Sequence, residues 1–223
     1  MSIRKKILAI SIGPVLVLGV ITLLFMLTMV KSSLMDEVQD ALKGTAAATL
    51  AAYDQNTGDY LESTNGDIWK GSYNISKSES LVDRIKENTG MDVTFFYGNK
   101  RIMTSALDKK GNRILGSEAG ERVVNQVIKG KKPFFSTNVS LDGTRNYGYF
   151  IPVYQNGTTD QVIGMVFVGT NKARKDAIVN KILGSIMMAL LVVMLLCIVT
   201  AMRMAASILS LIHISEPTRR TPI

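Results

Sequence analysis

Arg145, Tyr147 and Tyr149 are the side chains best suited to hold a small molecule, because they alternate along one stretch and so share one face of a strand. Phenol rings with a polar tip beside a guanidinium fork suit recognition of a small anion. A solvated sheet face gives the same pattern, and alternation does not choose between the two. The other basic residues have simpler expected roles. Arg101 stands at a turn, where solvation is expected. Lys129, Lys131 and Lys132 close a helical stretch, where cations meet the negative end of the helix dipole.

Catalytic chemistry has little to draw on. The single histidine, His213, lies in the C-terminal tail, and the single cysteine, Cys197, lies inside an apolar run. The region between the two apolar runs therefore has no residues for a zinc site, a Ser-His-Asp triad or a disulfide. Carboxylates alone can serve a glycosidase or a hard cation, but here Asp and Glu are scattered without metal-loop spacing. The expectation is a protein that is not an enzyme and carries no metal and no cofactor. The triplets at Asn74, Asn138 and Asn156 fit the glycosylation pattern and are read as chance.

Two stretches set the architecture around these residues. From Ile7 to Val30 there is no charged side chain, and Arg4, Lys5 and Lys6 precede the run while Lys31 follows it. A second uncharged run, Ile182 to Met202, lies between Lys181 and Arg203. At about 1.5 Å per residue each is long enough to span a bilayer. The first exceeds the apolar length of a cleaved leader and lacks an Ala-x-Ala site, so it reads as a retained anchor. Basic flanks stay in the cytoplasm, which puts residues 1–6 inside, 32–177 outside and 203–208 inside again. The expected location is the cell membrane, crossed twice.

The formal charge of +8 fits this topology and gives no support to nucleic-acid binding. Residues 32–177 hold 18 Lys and Arg against 17 Asp and Glu, so the excess lies in the membrane flanks and the tail.

Between the spans, Leu34, Val38, Ala41, Thr45, Ala48 and Ala52 recur at helical spacing, which predicts a helix over 32–53 running on from the first span. Its mild apolar face suits a dimer seam or packing on its own sheet. Residues 55–76 read as loop with turns, pegged by Trp69 and Tyr73. Ser78 starts a short helix that ends before Gly90. Five strands are then expected at 91–97, 101–106, 134–141, 144–154 and 161–170, with tight turns at Gly98-Asn99 and Asp142-Gly143. A helix over 118–129, stopped by Gly130, separates the second strand from the third. The fold class is α+β, an antiparallel sheet dressed with helices. Lys172 to Lys181 holds no helix breaker, so the last strand passes into the second span with little slack.

Several stretches in this order resemble the single Cache sensor domains of methyl-accepting chemotaxis proteins. They are Met91-Asp92-Val93-Thr94-Phe95-Phe96-Tyr97-Gly98, Arg101-Ile102-Met103-Thr104-Ser105, Gly111 to Ser117, Tyr147 to Pro152 and Val162 to Gly169. The resemblance covers most of residues 35–172. It implies a PAS-like sheet in the order 2-1-5-4-3 behind a long N-terminal helix, in a homodimeric bacterial receptor for an extracellular small molecule such as a carboxylate or amino acid. Related sensors place a ligand-gripping arginine after the second strand, where Arg113 stands, with the hydroxyls of Thr104 and Ser105 beside it. The expected ligand residues are thus Thr104, Arg113, Tyr147 and Tyr149.

The resemblance also implies a HAMP segment from Arg203 to Ile208 and a cytoplasmic part that regulates a chemotaxis histidine kinase through a coupling protein. A membrane histidine kinase or a diguanylate cyclase carries the same kind of sensor. Leu209 to Arg219 instead resembles a translated transposase adapter from sequencing-library preparation, so 209–223 is expected to be artefactual and the natural chain longer. A short basic tail is the alternative.

Overall fold

The computed structural model describes residues 3–214. Helix α1 (Ile3–Asp54) is unbroken from the first apolar run into the helix expected over 32–53, and α4 (Lys172–Ile214) is likewise unbroken. Residues 203–208 continue α4. Of the segment 209–223, residues through Ile214 continue it too, and the remainder lies outside the described residues.

The chain divides into a unit holding the two apolar helical stretches and a unit spanning Met35–Ala177. In the first, both helices are long and apolar enough to cross a membrane, and no part of either apolar window is buried. Ile10, Leu18 and Phe25 on α1, and Met188 and Leu195 on α4, are each more than 60% exposed. Apolar side chains left uncovered on every side of a helix suit lipid as the solvent.

The second unit is α+β. After α1 come three short strands, β1 (Tyr60–Glu62), β2 (Ile68–Lys70) and β3 (Tyr73–Asn74), paired antiparallel in the order β1-β2-β3. This small sheet occupies the stretch expected to be loop, because strands of two or three residues are too short to display a period. Its pegs also differ from those expected: Tyr60 and Ile68 are buried, while Trp69 is only half-buried. Helix α2 (Glu79–Thr89) ends at Gly90 in the left-handed conformation, as its sequence predicts.

The main sheet contains β4 (Asp92–Tyr97), β5 (Lys100–Thr104), β6 (Phe134–Leu141), β7 (Thr144–Tyr154) and β8 (Val162–Asn171). All its pairs are antiparallel, in the order β5-β4-β8-β7-β6, which is the 2-1-5-4-3 arrangement expected. The β6-β7 hairpin turns at Asp142 and Gly143, both at positive φ (45° and 76°), the conformation a two-residue turn demands. Helix α3 begins at Glu121, three residues later than expected, and after Val123 it widens into a π-helical stretch, Val124–Lys129.

Each face of the main sheet has its own core. On one face Val93, Phe95, Met103, Tyr147, Tyr149, Ile151, Val166 and Val168 meet Val38, Leu42, Ala46 and Tyr53 of α1. The buried α1 positions are thus Val38, Leu42, Ala46, Thr49 and Tyr53, which is not the expected stripe; Ala41 and Ala48 are exposed. The larger side chains Leu42 and Tyr53 win the sheet because they bury more apolar area than alanines do. On the opposite face Phe96, Phe150, Met165 and Phe167 pack with Val127 of α3.

Candidate functional site

The α3 face of the sheet is incompletely filled. A cavity of about 510 Å³ lies there, lined by Phe96, Phe150 and Phe167, by β6 from Phe134 to Leu141, by Glu118, Ala119 and Gly120 before α3, and by Arg122 and Val123 of α3. Its size suits a small ligand. Gly148 and Gly169 lie against the Phe167 ring, which lines it. A Cβ at either position would strike the Phe167 ring, so the missing side chains let that ring lie flat against β7 and β8.

Arg101 supplies the charge. It lines the cavity at the start of β5 and is only 7% exposed. Its main chain is held on both sides: its N–H donates to the Ser117 carbonyl (2.9 Å) and its carbonyl accepts from the Gly116 N–H (2.9 Å). One Nη donates to the Ile114 carbonyl at 3.2 Å, and the guanidinium lies 5.4 Å from the centre of the Phe96 ring. Its Nε is buried and has no partner, and no carboxylate pairs with Arg101 among the described residues. Burial lowers the Arg101 pKa, opposed in part by Asp92. A guanidinium nevertheless stays protonated in proteins, so a nearly buried cation lines a cavity walled by aromatic rings together with Glu118, Arg122 and the polar residues of β6. Arg122 stands at the edge of the same cavity, 5.5 Å from the Phe134 ring centre.

The four residues expected from the sequence lie elsewhere, and none of them lines this cavity. Thr104 is fully buried, with its hydroxyl 2.7 Å from that of Thr94, 3.2 Å from the Val93 carbonyl and accepting from the Ala106 N–H at 3.1 Å. That hydroxyl is spent on joining β4 to β5. Ser105 accepts from the Val93 N–H and donates to Asp92. Arg113 does meet Thr104, donating to its carbonyl at 2.7 Å, but its fork closes on Asp83 of α2 (2.9 and 2.5 Å). The pair lowers the Asp83 pKa, chiefly through the hydrogen bond from Arg113.

Tyr147 and Tyr149 share a face as alternation requires, but that face packs on α1. They are 3% and 7% exposed, so the solvated-face reading fails and so does an open ligand surface there. The Tyr147 hydroxyl donates to Asp176 of α4 at 2.5 Å, and burial together with that carboxylate pushes its pKa up to about 12. Arg145, at the strand end, is exposed. Arg101, expected at a solvated turn, is the buried exception. A bulge between Phe95 and Phe96 moves it out of simple alternation and turns it onto the Phe96 side.

A five-stranded antiparallel sheet with a long N-terminal helix on one face and a cavity under a short crossing helix on the other is a PAS-like α+β sensor fold. Residues 73–182 match the family described as "Single cache domain 3", and the fold is Cache/PAS-like, in a chain with two membrane-length helices. No curated protein matches the sequence.

Solved structures resemble it at low identity. An extracellular ligand binding receptor from Desulfohalobium retbaense is 15% identical over 68% of this chain, with a TM-score of 0.47, and this chain spans only 26% of that receptor. The sensory domain of the Campylobacter jejuni chemoreceptor Tlp3 is 11% identical over 74% of this chain and 66% of its own, with a TM-score of 0.47. The E. coli DcuS sensor domain is 13% identical over 68% of this chain and 98% of its own, with a TM-score of 0.39.

Proposed function

We propose that this chain is the sensory part of a transmembrane chemoreceptor of the methyl-accepting type. In this reading its Cache domain lies outside the cytoplasmic membrane and binds a small organic anion in the Arg101 cavity. The observation that carries the ligand reading is Arg101 itself, nearly buried and without an ion pair among the described residues, lining a cavity that phenyl rings help to wall. A carboxylate there would supply the missing countercharge, while the ligand's apolar body would cover the rings.

The topology is supported by Arg4, Lys5 and Lys6 before the first span and Arg203 after the second. The receptor acts as a homodimer, catalyses nothing itself, and passes its signal through α4 to a cytoplasmic part that regulates a chemotaxis histidine kinase.

The test is a thermal-shift screen of the full chain in lipid nanodiscs against acetate, propionate, succinate, benzoate, the amino acids and matched amines, repeated with Arg101→Gln. A ligand that binds the folded state raises Tm with concentration, by about 2.7 kcal/mol of stabilisation at one hundred times Kd. We expect at least one carboxylate to do so in the wild type and to lose the effect in Arg101→Gln. Stabilisation by amines alone, or by a carboxylate to the same extent in the variant, would overturn the assignment.

A further inference from the structure

We propose that Lys172 and Asp176 clamp the first two turns of α4 to the bulge of β6 that walls the Arg101 cavity, so that a ligand displacing the bulge moves the helix. The proposal rests on the cavity's being the ligand site and concerns how its occupancy leaves the domain.

The connection begins without a loop. β8 ends at Asn171 and α4 starts at Lys172, with the Asn171 side chain capping the helix by accepting from the Arg174 N–H at 2.9 Å. Helix α4 thus follows the last strand with no residue between them. Two further bonds then fix it. The Lys172 ammonium donates to the Thr137 carbonyl of β6 at 3.1 Å and lies 5.2 Å from the centre of the Tyr147 ring. One turn on, Asp176 accepts from the Tyr147 hydroxyl of β7. Positions four apart lie on the same face of a helix, so both bonds act from one side.

Both partners sit at the same irregularity. Ser136 pairs with Gly148 and Val139 with Asn146, so Thr137 and Asn138 together oppose the single residue Tyr147. The bulge frees the Thr137 carbonyl from the ladder for Lys172. Ser136 to Val139 also line the cavity, and the Ser136 hydroxyl accepts from the Asn138 N–H at 3.4 Å. One bulge thus touches the cavity on one side and the membrane-directed helix on the other. The clamp also explains a lysine at a position where the helix dipole disfavours it, since Lys172 gains a carbonyl and an aromatic face in compensation.

The test needs no ligand. Hydrogen exchange of amides 173–180 is measured on the full chain in nanodiscs for wild type, Lys172→Met and Tyr147→Phe; the latter keeps the ring and its stacking on Phe135. Each variant is expected to speed exchange there about fivefold, the effect of one lost hydrogen bond, while β4 and β8 remain unchanged. Ser136→Phe, which pushes a ring into the cavity, is then combined with Lys172→Met. The cavity substitution is expected to speed exchange at 173–180 in the wild-type background and to add nothing in the Lys172→Met background. Ser136→Val replaces it if the larger residue prevents folding. Unchanged exchange in both single variants, no effect of the cavity substitution, or additive effects would each overturn the clamp. Because no ligand takes part, failure here is separate from failure of the carboxylate screen.

Discussion

Arg113, a ligand residue by the family resemblance, is engaged in the structure by Asp83, and the consequences of that pair can be measured. Its fork holds Asp83 of α2, and its third bond reaches the carbonyl of fully buried Thr104 at the end of β5. Truncation to alanine removes a partly exposed ion pair, worth no more than about 1 kcal/mol, and a charged hydrogen bond to a buried carbonyl, worth about 1.5 kcal/mol. The expected loss is about 2 kcal/mol, or about 6 °C in Tm for a domain of this size. The pair also sets a pH dependence. The Asp83 pKa is lowered in the folded state, so its contribution is present at neutral pH and is lost as pH falls through the lowered value. Arg113→Ala should therefore melt earlier than wild type at pH 7, and the gap should narrow below about pH 4. Differential scanning fluorimetry at both pH values, together with titration of the carboxylate found in the screen, separates the roles. If Arg113→Ala abolished carboxylate binding while Tm stayed unchanged, the staple argument would be refuted and the arginine would belong to the ligand.

Two further outcomes follow from the packing. Gly148→Ala places a methyl group against the Phe167 ring and Val139, so it should cost about 1–3 kcal/mol by urea denaturation and weaken carboxylate binding, because both neighbours line the cavity. The buried tyrosines should make the domain sensitive to alkali. Burial raises the pKa of Tyr53 and Tyr60, and Tyr147 is pushed up to about 12, so stability is intact below the ordinary phenol pKa of about 10 and falls as pH rises toward 12. Melting curves should show this loss, and it should be shallower in Tyr147→Phe.

Most of the scaffold was legible because its signals are local or periodic. Uncharged runs mark the spans, and Gly90 and Asp142-Gly143 mark an end and a turn. Elements of two or three residues carry no such signal, which hid β1, β2 and β3. The π-helical stretch of α3 was hidden for a related reason. Its apolar residues recur much as in an α-helix, and only the bond from the Gly130 N–H back to the Asn125 carbonyl reveals the wider turn.

The site was harder to read, for a reason that belongs to antiparallel sheets in general. Alternation sorts residues onto two faces, but it does not say which face a helix will cover. Here α1 takes the face of Tyr147 and Tyr149 because Leu42 and Tyr53 need burial, and the cavity is left on the other face, where glycines at 148 and 169 and a bulge at 95–96 break the pattern. Irregularities are what make room for a ligand, and they are also what periodic reasoning discards. The useful signal was chemical: an arginine at 101, amid Phe96 and Ile102, has a charge that so apolar a setting does not solvate. A residue in that position needs a partner, and the protein leaves one donor of it unused. The same logic extends to the second bulge, at 137–138, which gives up two places in the ladder and gains a carbonyl for Lys172. If that bulge passes the ligand's signal to α4, then Lys172→Met should leave carboxylate affinity nearly intact and uncouple α4, whereas substituting Arg101 should abolish the affinity and leave the clamp in place.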